Sequence, residues 1–241
     1  IVYNADMFEE YGWEIPETMD EMVALCNQII SDTKGEVSPF VYPGSVGGYF
    51  DFLVNNWWLQ VSGVEKVQEF FDFGSADVFN YRNAEDPSYG KLVALNQFNR
   101  LFGNKATGTY NGEEYSYTLS GSASKNHLQA QQRFIRGEAA MIPNGGWMRT
   151  PYIDDVSGKD GQEYISYNYS AQPDYMLIPS KANNIEGAKK FLSFLQRDDI
   201  LKQYTRDTGS ARPFEYELDS SFDYTDFTDD CLEIWENSDY N

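Results

Sequence analysis

The sequence predicts an α/β protein. Segments with apolar residues at helical spacing alternate with short strands that occur singly, and they lack the regular βαβ metre of a dinucleotide-binding sheet. The length of 241 residues suits one large domain or two smaller ones. No internal repeat or low-complexity segment interrupts the alternation.

Residues 1–3 read as the end of a strand. Residues 16–30 read as a helix: Thr18 and Glu21 are spaced as a capping box, Pro16 precedes the cap, and Met22, Leu25, Ile29 and Ile30 recur at helical spacing. A loop over 33–48 contains a short strand at 40–42. The next helix, 49–63, carries Phe50, Leu53, Val54, Trp57 and Trp58 on one face and is closed by Gly63. Residues 70–88 are irregular and rich in Asp and Asn. Ser88 then caps a helix with Leu92, Leu95, Phe98 and Leu101 inside and Gly103 beyond its end.

Residues 104–121 read as an exposed hairpin or loop. Ser124 caps a helix that ends at Gly137, and the strand 139–142 follows. After a polar loop, 164–170 and 175–180 are strand-like. Residues 184–196 form an amphipathic helix with Ala188, Phe191, Leu192 and Leu195 inside, and a further helix ends at Gly209. The tail from Phe214 is acidic, with a helical piece at 229–235.

Composition removes several function classes. The formal net charge is −20, and no basic stripe exists to neutralise phosphates, so nucleic acid is not an expected partner. The surface repels anionic lipid, and no apolar run is long enough for direct membrane insertion. Cys26 and Cys231 lie too far apart for a metal motif or a disulfide framework, and Cys26 reads as a small buried hydrophobe. The single histidine, His127, argues against a zinc site or a His-based triad. No phosphate-cradling glycine loop precedes a Lys, and no Gly-x-Ser-x-Gly nucleophile elbow occurs.

Thirty-eight acids allow many paired carboxylates, so pairing on paper has little specificity for a glycosidase. The tail residues Asp219, Asp223, Asp226, Asp229 and Asp230 lack the metre of a calcium loop and read as a solvated, self-repelling face. Aromatic residues make up 16% of the chain, enough to build surfaces that are apolar on one side and wet on the other.

Four aromatic residues stand at strand ends or helix starts beside glycine. Tyr42 precedes "PGSVGG", Tyr49 and Phe50 follow it, and Trp147 follows "PNGG" in the stretch "GEAAMIPNGGWM". Clefts of α/β proteins are lined at such points. The alternative is that these rings are core plugs or hydrophobic staples. Trp57 and Trp58 sit at helical spacing with Leu53 and Val54, so at least one is core.

Three motifs carry a resemblance. "IVYNADMFEEYGWEIPETMDEMVALCNQI" is similar to a segment of the family 1 extracellular solute-binding proteins through Tyr3, Asn4, Phe8, Gly12, Pro16, Thr18 and Glu21, with Met19 where the family commonly has Trp. "QQRFIRGEAAMIPNGGWM" resembles a second motif of that family through Phe134, Gly137, Ala140, Met141, Gly145 and Trp147. "IPSKANNIEGAKKFLSFL" resembles a third, more weakly. The three occur in the family's order and together cover about residues 1–210.

The resemblance implies a periplasmic-binding-protein-like fold of type II, with maltose-binding protein as the best-known member. It implies a sugar or oligosaccharide receptor that hands its ligand to the membrane subunits of an ABC permease and does no catalysis. Trp147 inherits a sugar-stacking role, Tyr49 and Phe50 a contact role with Tyr42 beside them, and Asn144, Asp51 and Arg212 are candidate hydrogen-bond partners. No metal and no cofactor is implied.

Residues 1–168 would form the second lobe, 171–213 would cross back to the first, and 214–241 would return. The chain would be a mature fragment lacking most of the first lobe, and the apolar face of 187–196 would then be exposed or covered by another chain. The expected location is extracellular, as a cell-surface lipoprotein of a Gram-positive bacterium with its anchoring Cys upstream of residue 1, or periplasmic. A carbohydrate-active enzyme and a receptor of the same fold for a non-sugar ligand remain the alternatives.

Overall fold

A computed structural model describes residues 1–72, 74, 90–145, 148, 176–212 and 214–234, and the backbone of 164–166 and 235–236. In chain order the elements are β1 (Val2–Asn4), α1 (Ala5–Tyr11), α2 (Met19–Asp32), β2 (Ser38–Phe40), α3 (Gly48–Ser62), α4 (Val64–Phe71) and α5 (Gly90–Phe102). Then come β3 (Thr107–Tyr110), β4 (Glu113–Ser116), a 3₁₀ turn (Ser122–Ser124), α6 (His127–Ile135), β5 (Ala139–Ile142), β6 (Tyr164–Ser166), α7 (Ile185–Leu195), α8 (Asp198–Thr208) and α9 (Asp226–Glu236).

Four strands make a mixed sheet in the order β2-β5-β1-β6. β2 runs parallel to β5, and β1 is antiparallel to both β5 and β6. Register sorts the side chains into two faces. Tyr3 opposes Met141 and Phe40 opposes Met141, and all three pack with Phe8, Trp13, Leu25, Ile29 and Leu101 on the α2 side. Val2 opposes Ile142, and both pack with Val41, Ala130, Phe134, Met148 and Phe227 on the α6 and α9 side. Helices cover both faces, which is why β5 reads as an unbroken apolar run with every residue buried.

The helix starts follow local chemistry. Asn4 caps α1 by accepting the Met7 N–H at 3.2 Å, and Gly12 ends it with φ 67°, a left-handed conformation that costs glycine little. Thr18 and Glu21 form the expected capping box on α2: the Glu21 N–H donates to Thr18 Oγ1 (3.2 Å), and the Glu21 carboxylate accepts the N–H groups of Thr18 and Glu17. Those bonds, Glu17 first and then Thr18, hold the Glu21 carboxyl below its usual range. The cap is intact at neutral pH and weakens as acid protonates that carboxylate. Thr18→Ala should lower the unfolding free energy by about 1 kcal/mol in a denaturant titration, with an unchanged slope.

Several readings from sequence are corrected. The strand expected at 40–42 is Ser38–Phe40, although the Val41 N–H still donates to Met141 O (3.1 Å). Asn126, not Ser124, caps α6, because Ser124 belongs to the preceding 3₁₀ turn. On α5 Leu101 is fully buried and Phe98 packs against the core as expected, but Leu95 is exposed and Ala94 takes the inward place beside it. Residues 176–179 form no strand, and Met176 and Leu177 are exposed. Trp58 is the core tryptophan of α3; Trp57 is half-buried. The expected cap Ser88 lies outside the described residues.

Residues 104–121 do form a hairpin, β3–β4, turned by Asn111 and Gly112 at φ 52° and 83°. α7 was expected to bury Ala188, Phe191, Leu192 and Leu195. Instead it has no buried residue: Phe191 is 58% exposed and Phe194 42%. That agrees with the expectation that its apolar face lies open within this chain.

Candidate functional site

The sheet gathers one group of loops at a single edge. β2 and β5 are parallel, so their C-terminal ends emerge together. The connection from α6 to β5 is a tight turn at Gly137 (φ 74°), so α6 runs back along β5 and its first residue, His127, lies at that same edge. Ligand clefts of α/β sheets form outside the carboxyl ends of strands.

Hydrogen bonds tie these loops to each other. The Gly44 N–H donates to Ser122 O (3.1 Å), and Ser45 donates to Lys125 O through its N–H (3.0 Å) and its hydroxyl (2.8 Å). A Cβ on Gly44 would stand 2.5 Å from Ala123 Cα and 2.7 Å from the Tyr42 ring, so only glycine allows this approach. The far turn is clamped by Arg133, whose guanidinium reaches Glu138 Oε2 (2.7 Å) and Ser120 O (2.7 Å). The starts of α3 and α6 are thereby fixed side by side.

The rings divide into two groups. Phe50 packs inward against Phe98 (4.7 Å between centroids) and Phe102 (5.5 Å), and half-buried Tyr42 leans on Phe50 (4.8 Å) and Phe102 (5.9 Å). Tyr49, at the start of α3, lies nearly parallel to the His127 ring, with centroids 6.2 Å apart and an interplanar angle of 8°. Asp51 is exposed on the same first turn of α3.

β5 runs into Pro143, which is buried, and then a short turn. The Asn144 side chain accepts the Gly145 N–H (2.9 Å) and reaches Met148 Sδ (3.2 Å), and the Met148 N–H returns to Gly145 O (3.0 Å). Met148 anchors this turn in the core beside Phe227. Trp147 lies outside the described residues.

The sequence candidates Tyr42, Tyr49, Phe50, Asp51 and Asn144 thus stand at one edge. Arg212 is held in another packing unit. Its guanidinium covers the Tyr204 ring at 4.0 Å, and its N–H donates to the Tyr216 hydroxyl (3.1 Å), beside the small cluster of Leu201 and Tyr216. His127 was not singled out as a contact residue from sequence. Its signal is the short α6-to-β5 turn at Gly137, which returns the start of α6 to the strand ends.

The acidic tail is engaged locally. Asp219 accepts the Ser221 hydroxyl (2.6 Å) and N–H (3.1 Å), which hold its carboxyl below the usual range, and Arg206 lies 3.3 Å away. Asp226 and Asp229 occupy the first turn of α9, where carboxylates favour the helix dipole. Burial pushes the Asp230 carboxyl up. Among the described residues no cluster of His, Cys, Asp and Glu is arranged to hold a metal ion. A groove of about 410 Å³ between α8 and the Asp219 segment is lined by Asp199, Lys202, Gln203, Arg206 and Asp207, whose charges largely pair within and beside it.

The profile of the bacterial extracellular solute-binding proteins matches residues 1–201. The chain belongs to that family. Its fold is shared by solved members at low identity. A solute-binding protein, RafE, solved with raffinose, superposes with a TM-score of 0.66 at 20% identity, covering 96% of this chain and 57% of that one. Apo RafE from Streptococcus pneumoniae gives a TM-score of 0.61 at 18% identity over 96% and 56% of the two chains. A chitin oligosaccharide binding protein gives 0.63 at 17% over 98% and 56%. The present chain therefore spans little more than half the length of these solved chains. No curated protein matches it. Membership makes this a protein of the extracellular solute-binding class, and the family's work is binding rather than turnover.

Proposed function

We propose that the protein is an extracellular receptor that captures a sugar or oligosaccharide and delivers it to an ABC permease, without catalysis. The observation that carries this reading is the convergence of Tyr42, Tyr49, His127 and the Asn144 turn at the C-terminal ends of β2 and β5, within a solute-binding family. Rings at such an edge cover the C–H face of a pyranose, while Asn144 and Asp51 offer hydrogen bonds to hydroxyls. Trp147, two residues beyond Gly145, is assigned to stack on the sugar, and Arg212 to reach it from the segment beyond 171. Solved proteins of this fold are described as binding raffinose, stachyose and chitin oligosaccharide, which supports the ligand class.

In this reading residues 1–168 are the second lobe, 171–213 pass to the first, and 214–241 return. The open face of α7 and the packing of Phe227 with Val2 and Val41 support that division. The receptor is placed outside the cell as a surface lipoprotein of a Gram-positive bacterium, or in a periplasm.

Titration calorimetry against raffinose, stachyose, chitin oligosaccharides and xylo-oligosaccharides tests the proposal. Saturable binding to one of them, with no product formed over hours, supports a receptor. Hydrolysis would instead make this a carbohydrate-active enzyme, and no binding to any glycan would remove the sugar reading.

A further inference from the structure

Gln131 lies on α6 and is 1% exposed, yet neither its amide oxygen nor its amide nitrogen has a hydrogen-bond partner among the described residues. Buried amides are almost always paired, and an unpaired one is a candidate for a group that pairs only when something binds. Gln131 follows His127 by four residues, so the two share a face of α6, about 6 Å apart along its axis. His127 stacks on Tyr49 at the sheet edge described above. Gln131 therefore stands on α6 one turn beyond His127, the residue that stacks on Tyr49.

The neighbouring inward positions on α6, Ala130 and Phe134, are apolar and fill the core. A glutamine at 131 gains only if it meets a polar group. It carries no charge, and the nearby Arg133 is already paired with Glu138. The surroundings thus suit a neutral partner that both donates and accepts.

We propose that Gln131 is a ligand-binding residue, forming with Tyr49 and His127 one subsite for a neutral polyhydroxylated ring. The rings cover the C–H face, and the amide pairs as donor and acceptor with adjacent hydroxyls. The proposal rests on the sugar-receptor reading and adds to it a polar floor and a histidine wall.

Calorimetry of the full chain with raffinose, stachyose and chitin oligosaccharide as probes tests it. Gln131→Met keeps the shape and removes both polar atoms; it should weaken the tightest of these by about tenfold while leaving thermal stability unchanged or raised. His127→Ala, at an exposed position, should weaken it by about threefold. In the unsubstituted protein the Gln131 side-chain NH₂ resonance should shift on saturation with that glycan, a readout that does not depend on any variant folding. Wild-type affinity in Gln131→Met, or an unmoved NH₂ resonance, overturns the proposal and leaves the amide paired with water or protein. If the unsubstituted protein binds none of the glycans, the sugar reading falls first and this subsite with it.

Discussion

Phe134→Ala is expected to lower the unfolding free energy by about 3–5 kcal/mol, a fall in melting temperature of roughly ten degrees. Phe134 is fully buried at the meeting point of three elements: it packs with Val2 and Ile142 of the sheet, with Met148 of the turn after β5, and with Phe227 of α9. Its removal leaves a void that strand, turn and helix cannot all move to close. The effect should also reach the site, because Met148 anchors the turn that bears Asn144 and α6 bears His127. A loss under about 1 kcal/mol, measured by denaturant unfolding, would show that α9 does not pack on this face.

Trp147→Ala is expected to weaken the best glycan by about 10- to 100-fold, equivalent to about 1–3 kcal/mol, with little change in melting temperature. The described neighbours are held: the Asn144 side chain accepts the Gly145 N–H, and Met148 is buried. Lowered affinity with an unchanged melting temperature is the result the proposed stacking role of Trp147 predicts. Unchanged affinity with a lowered melting temperature would return the indole to the core.

How much of this was legible depends on how local each signal is. The capping box at Thr18 was readable because its two bonds join residues three apart, and the AAMI strand because full burial on both faces leaves an apolar run. The helices α1 and α4 were not. α1 has only seven residues and α4 eight, too short for periodicity to show, and α4 follows directly on the glycine that ends α3. The cap of α6 was misplaced by two residues because Ser124 and Asn126 are both good caps, and only the 3₁₀ turn decides between them.

Tyr49 was singled out as a candidate because glycines mark the loop before it, and Asn144 entered through the family resemblance; the structure sets both at the carboxyl ends of β2 and β5. His127 was passed over because its value is a matter of topology: the parallel pairing of β2 with β5 and the tight turn at Gly137 bring it beside Tyr49, seventy-eight residues away. Phe50 illustrates the converse. It has the same local sequence signal as Tyr49, yet its ring packs against Phe98 and Phe102. Adjacent residues at a helix start point in different directions, and local sequence does not say which turns inward.

The central claim is that ligand binds at the carboxyl ends of β2 and β5. Backbone amide shifts on titration with the best glycan test it most directly. The account predicts that the largest shifts fall on residues 42–51, 126–131 and 144–148. Shifts confined to Asp199, Lys202, Arg206 and Asp219, around the charged groove on α8, would contradict it.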